Sequence, residues 1–205
     1  MGKQLGWIGG QFALALLTLA STGFAGQAGR FHLEEATIAD VHRAIRARQI
    51  TATQLVRLYF KRIEAYNGTC VKGEVDAKTG LMLGEVQPMD NAGQLNAYVT
   101  LNLRGKRSKT DSADNDPKLP DALEVARAQD AFFARMGKFV GPLHGIPIAI
   151  KDNYDTNDQR TTAGAAANYA NDKPPLDATM VAKLRGAGAI ILGKTNLDEY
   201  APAGI

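Results

Sequence analysis

The spacing of apolar positions changes period several times along the chain, and each change marks an element. After Thr37, the residues Ile38, Val41 and Ile45 recur at helical spacing, with Thr37 placed to cap the helix and Asp40 near its positive end. Thr51-Ala52-Thr53-Gln54 has the form of a capping box and predicts a helix over 51–66. Leu55, Leu58, Tyr59, Ile63 and Tyr66 then fall on one face, Arg57, Lys61, Arg62 and Glu64 lie mostly opposite, and Asn67-Gly68 ends the run. Asn67-Gly68-Thr69 also satisfies a glycosylation sequon, read here as coincidence.

The period is lost over residues 68–94, a stretch rich in Gly, Asp, Asn and Lys that predicts a long loop or a small hairpin. Alternation returns at Leu95–Leu101, a strand pattern with a weak start. Residues 104–117 are highly charged without periodicity and predict an exposed excursion. From 122 to 136 the helical period resumes, with Ala122, Val125, Ala126, Ala128, Phe132 and Phe133 apolar.

The most informative stretch follows. Gly141-Pro142 and Gly145 punctuate the entry to a short apolar strand, Ile146-Pro147-Ile148-Ala149-Ile150, which ends in Lys151-Asp152-Asn153. A lysine closing an apolar strand either carries its ammonium out to solvent or is held with a lowered pKa, ready to act as a base. Small residues follow at Thr161-Thr162-Ala163-Gly164-Ala165. Next comes a helix containing Met180, Val181 and Leu184, with Asp177 as its cap and Gly186 and Gly188 at its end. Ala189-Ile190-Ile191-Leu192 predicts a second buried strand. Strand, helix and strand in this order imply a crossover in a parallel or mixed sheet, with both strand ends on the edge where α/β sheets commonly carry their sites. Lys151 and Lys194 are both candidates for that edge.

Composition narrows the function classes. The chain has 205 residues, 45% hydrophobic and 22% charged, as expected of a globular protein. The net charge of +3 is spread along the chain, so no nucleic-acid-binding surface is expected. Cys70 is the single cysteine, and His32, His42 and His144 are far apart, so neither a disulfide within the chain nor a metal site is expected. Residues 1–28 have the layout of a secretory signal: Lys3, the apolar run Phe12–Ala20, then small residues with cleavage near 25–28. The run is shorter than the roughly 20 apolar residues of a membrane span, so no stable span is expected after cleavage, and the protein is expected to be secreted or periplasmic. Residues 29–205 form the remaining region, of a length that suits one domain or part of a larger one.

Gly188-Ala189-Ile190-Ile191-Leu192-Gly193-Lys194-Thr195 satisfies the phosphate-binding loop pattern letter for letter. A working loop of that kind needs a strand before it and a helix after it. Here the intervening Ala-Ile-Ile-Leu is itself strand-like and a helix precedes Gly188, so a nucleotide-binding module is a disfavoured alternative.

The blocks Gly141–Asp152, Thr161–Gly164 and Gly188–Ala201, in that order, closely resemble the amidase signature family. The likeness extends to helix 51–66, Leu95-Asn96-Ala97-Tyr98 and the helix near Asp130, and so spans most of 33–205. It implies an α/β fold with a mixed central sheet covered by helices on both faces, incomplete in this chain. It also implies amide cleavage by a Ser–cis-Ser–Lys triad without metal or organic cofactor. Lys151 matches the triad lysine, the general base; Lys194 falls where the family resemblance implies a structural lysine closing a turn. The Gly/Ser-rich stretch that would supply the two serines and the oxyanion hole has no counterpart here, and Ser21, Ser108 and Ser112 are the only serines.

The sequence is therefore expected to be the N-terminal portion of an exported amidase acting on a linear small-molecule amide through an acyl-enzyme, inert without the triad serines. The alternatives are an A-type amidotransferase component passing ammonia to a partner, which would be cytosolic, or a non-catalytic truncated remnant. The amide and the oligomeric state are not fixed by the sequence.

Overall fold

A computed structural model describes residues 31–68, 71–75, 77–78, 82–88, 95–108, 114, 116–165 and 173–198. All lie within one unit, Phe31–Ile205. The predicted signal segment lies outside the described residues. No described helix is long and apolar enough to cross a membrane.

Both predicted N-terminal capping arrangements are present. Helix α1 (Ile38–Arg46) begins at Thr37, which exchanges side-chain and backbone bonds with Asp40; α2 (Ala52–Tyr66) begins at Thr51, which does the same with Gln54. A third capping box, Asp121 with Glu124, starts α3 (Ala122–Met136), and Gly137 ends it in the left-handed conformation at φ 62°. Asp130, in the second half of α3, accepts the Ala52 and Thr53 N–H groups at 2.8 and 2.9 Å. A carboxylate from α3 thus satisfies the free N–H groups at the positive end of α2 and fixes the two helices together.

The stretch after α2 resolves into a hairpin: β1 (Val71–Val75) pairs antiparallel with β2 (Met82–Pro88). Asn67 ends α2 and ties it to β3 (Tyr98–Leu101), accepting from the Ala97 and Tyr98 N–H groups at 2.9 and 2.7 Å and donating to the Tyr98 carbonyl at 3.0 Å. Its amide nitrogen is thereby engaged, which agrees with reading the sequon as coincidence. The strand begins three residues later than the alternation suggests, and Leu95 is exposed.

The main sheet has the order β3-β5-β4, with β4 (Pro147–Lys151) parallel and β3 antiparallel to the central β5 (Ile190–Thr195). The α4 helix (Thr179–Gly186) connects the parallel pair. Strand β5 is buried on both faces. Ile190 and Leu192 pack with Ala52, Val56 and Ile63 of α2 and Ala122 and Ala126 of α3; Ile191 packs with Ile150 and Val181 of α4. Helices therefore cover both faces of a mixed sheet, as an incomplete α/β fold.

Several faces differ from the sequence pattern. On α2, Ala52 and Val56 are buried while Leu58 and Tyr66 are exposed, because α3 and β5 press on the Ala52–Val56–Ile63 side. Asp177 does not cap α4: the cap position is Ala178, and the Asp177 carboxylate accepts from the Asn157 N–H at 2.9 Å and Arg185 Nε at 3.0 Å. The charged stretch 104–117 is not wholly exposed. Arg107 and Asp114 are buried, ion-paired to one another, and Arg107 Nη1 lies 3.9 Å from Asp158, which is itself 2.7 Å from Arg185.

The turn entering β4 is held by Gln129 of α3. Its Oε1 accepts the Gly145 N–H at 2.7 Å and its Nε2 donates to the Gly188 carbonyl at 2.9 Å, so one amide joins the turns that precede β4 and β5. Gln129→Leu leaves both backbone groups unsatisfied in a buried setting, and we expect a loss of about 3 kcal/mol in denaturant-unfolding stability.

Candidate active site

The register between β4 and β5 sets the chemistry at their common end. Ile148 pairs with Ile191 and Ala149 with Gly193, so β5 takes one extra residue at Leu192. A one-residue slip exchanges the faces of everything beyond it. Lys194 thereby pairs with Ile150, on the face covered by α4, and Thr195 pairs with Lys151 on the opposite face. Gly193 admits this arrangement, because a Cβ there would stand 2.3 Å from the Thr100 carbonyl of β3.

Lys194 is completely buried within β5, not in a turn after it. Its ammonium lies 3.0 Å from Asp152 Oδ1, an ion-pair contact outside hydrogen-bond geometry, and donates to Thr161 Oγ1 at 2.8 Å and the Arg160 carbonyl at 3.3 Å. Burial lowers the Lys194 pKa from its ordinary range, and the Asp152 charge offsets part of that. Asp152 is also fully buried, and its Oδ2 accepts both the N–H (3.1 Å) and the hydroxyl of Thr162. The Asp152 backbone donates to Thr195 and accepts from Ala163, at 3.1 and 3.0 Å. The small-residue stretch is thus wrapped around one buried carboxylate. Its turn places Ala163 and Gly164 at φ 50° and 77°, and a Gly164 Cβ would meet the Leu197 carbonyl at 2.8 Å.

Lys151 is placed differently. It closes β4 at the same sheet end, but its side chain is exposed and makes no hydrogen bond or ion pair among the described residues. Of the two outcomes open to a lysine closing an apolar strand it takes the exposed one: the chain beneath it buries Ile146 and Ile150 while leaving Ala149 exposed. Face alternation explains the outcome: Lys151 shares the open side with Ala149, while Ile150 takes the side covered by α4. The two lysines singled out in the sequence therefore occupy one sheet end on opposite faces, one buried and paired, the other open.

The phosphate-loop pattern has no matching structure. Residues 190–195 are strand, and the Lys194 ammonium is occupied by Asp152 and Thr161. No cluster of metal-ligating side chains exists among the described residues.

His144, in the turn before β4, is fully buried and stacks on Phe139 with ring centroids 4.6 Å apart. Its Nδ1 accepts the Val140 N–H at 3.4 Å, and its carbonyl accepts from His42 Nε2 at 3.0 Å. Burial lowers the His144 pKa from 6.5, His42 adds to the effect and Asp130 opposes it. Below the ordinary value the unfolded chain takes up a proton that the folded chain resists. Folding stability should therefore fall as pH drops through about 6.5, and His144→Phe should flatten that slope in unfolding titrations.

A parallel strand pair crossed by a helix, ending in an exposed lysine beside a buried aspartate, forms this end of an α/β sheet. Residues 108–203 match the Amidase family, and the chain belongs to the amidase signature family. It is 38% identical over 147 residues to the A-type component of the glutamyl-tRNA(Gln) amidotransferase of Heliobacterium modesticaldum, covering 71% of this chain and 26% of that one. It is 33% identical over 169 residues to the corresponding protein of Paraburkholderia xenovorans, covering 82% and 25%. Among solved structures, the native peptide amidase of Stenotrophomonas maltophilia superposes with a TM-score of 0.58 at 32% identity, over 83% of this chain and 26% of that one. The chain thus spans about a quarter of the length of these relatives. The curated relatives carry the name of the amidotransferase alternative, not that of an exported hydrolase.

Proposed function

We propose that this chain supplies Lys151 as general base to an enzyme that cleaves an amide C–N bond through a serine acyl-enzyme. The carrying observation is the Lys151 amine itself: open, without a partner among the described residues, at the end of the parallel strand pair and within the block that matches the family. The amine takes the proton of an intermediary serine, which deprotonates the nucleophile; the nucleophile attacks the amide carbonyl, and the proton returns to the departing nitrogen. Both serines and the oxyanion hole come from elsewhere in the protein, which would also cover the open side of β4 and take Lys151 out of water.

Two finer forms follow from this chemistry. Likeness to the amidotransferase proteins favours release of ammonia to a partner. The charged, apolar and small-residue order of residues 1–28, with the similarity to the peptide amidase, favours an exported hydrolase acting alone on a small amide. Ammonia release by the purified full-length enzyme separates them, with L-glutamine and a C-terminally amidated dipeptide as probes. Turnover of the dipeptide amide without a partner, from a periplasmic protein whose N-terminus lies near residues 25–28, supports the hydrolase. Glutamine-only turnover by an unprocessed cytosolic protein, rising when a partner is added, supports the transferase.

A further inference from the structure

The buried pair behind Lys151 has a composition that packing alone does not require. Asp152 adjoins Lys151 in the chain, and an unpaired carboxylate so close would stabilise the Lys151 ammonium and work against its use as a base. Lys194 comes from a different strand, is turned to the Asp152 side by the extra residue in β5, and neutralises that carboxylate at 3.0 Å. The same two side chains hold Thr161 and Thr162, so the loop 160–163 closes over the pair.

Resting on the lysine-base reading above, we propose that Asp152 and Lys194 form the positioning pair of this site. Lys194 cancels the field of Asp152 at Lys151 and keeps the Lys151 amine unprotonated at working pH, while Asp152 fixes the end of β4 and the Thr161–Thr162 loop. The other charges acting on the pair are Arg160 on Asp152, and Asp155 and Asp158 on Lys194. Asp158 is itself paired with Arg185 and lies 3.9 Å from Arg107, so Lys194 is the cation that answers Asp152 directly. Both partners are fully buried.

The test uses the full-length enzyme and a fluorophosphonate probe, which needs no knowledge of the amide. The nucleophilic serine oxygen bonds to phosphorus, the P–F bond breaks, fluoride leaves, and the serine proton passes to the base. The labelling rate against pH therefore reports deprotonation of Lys151. Lys194→Met should move the acidic limb upward by about one pH unit, a roughly tenfold slower labelling on that limb. Lys194→Arg, which keeps the charge, should hold the limb near its wild-type position even where the overall rate falls. If Lys194→Met does not fold, Asp152→Asn should move the limb the other way, since it leaves Lys194 and removes the carboxylate.

Slower labelling with unmoved limbs in all three variants would overturn the pair's electrostatic role and leave the lysine-base reading intact. Wild-type enzyme that takes no label, or Lys151→Ala that labels at the wild-type rate, would overturn that reading and this proposal with it.

Discussion

Lys151→Ala in the full-length enzyme should lower kcat for amide turnover by about a thousandfold, the usual scale for losing a positioned proton acceptor. Its melting temperature should stay close to that of the wild type. Among the described residues the Lys151 side chain is exposed and makes no polar contact, so truncation breaks no ion pair here, and the melting temperature reads whatever packing the remainder of the protein adds. Steady-state ammonia release together with thermal unfolding checks both halves. A large rate loss with unchanged unfolding assigns Lys151 to chemistry, whereas a matching loss of stability assigns it to structure.

Arg107→Met should give the largest stability effect, about 4 kcal/mol, read as a shift in the denaturant midpoint. The guanidinium is fully buried. It pairs with Asp114, donates to the Leu119 carbonyl at 2.9 Å, and lies 3.9 Å from Asp158. Removing it takes one opposing charge from each of two buried carboxylates and an acceptor's donor from the segment leading into α3. The Arg185–Asp158 contact remains but reaches only the other carboxylate oxygen. Arg107→Lys should recover part of the loss, because an ammonium restores the charge without the forked geometry.

The elements that read well from sequence are those whose signals are local. The Thr51–Gln54 box, the Thr37–Asp40 start and the 122–136 period need only neighbouring residues, and each appears at its expected place. The order strand, helix, strand likewise predicts the parallel β4–β5 pair. What could not be read depends on partners remote in the chain. Arg107 and Asp114 sit in a run that looks solvated, and their burial depends on Asp158 and the turn that holds it. Lys194 reads as a turn residue because the apolar run stops at Leu192 and the family resemblance implies a turn there; the extra residue at Leu192, which the sequence does not show, sends the side chain to Asp152. A close-approach glycine at 193, following an apolar run, was the available hint of a bulge.

Lys151 shows the same boundary from the other side. The sequence places it correctly at the end of β4 but leaves open whether its amine is buried or exposed; it is exposed, since an alternating strand buries every second side chain. Any burial of Lys151 therefore has to come from surfaces that pack against the open face of β4, whereas the Asp152–Lys194 pair lies on the covered face.

Lys151 is proposed to drive formation of an acyl-enzyme from an amide. The most direct test is partition of that intermediate by hydroxylamine, added to the full-length enzyme during turnover. Hydroxamate appearing at the expense of carboxylate, in step with ammonia release, and neither forming in Lys151→Ala, is the predicted result. Ammonia release with carboxylate as the sole product, continuing unchanged in Lys151→Ala, would contradict it.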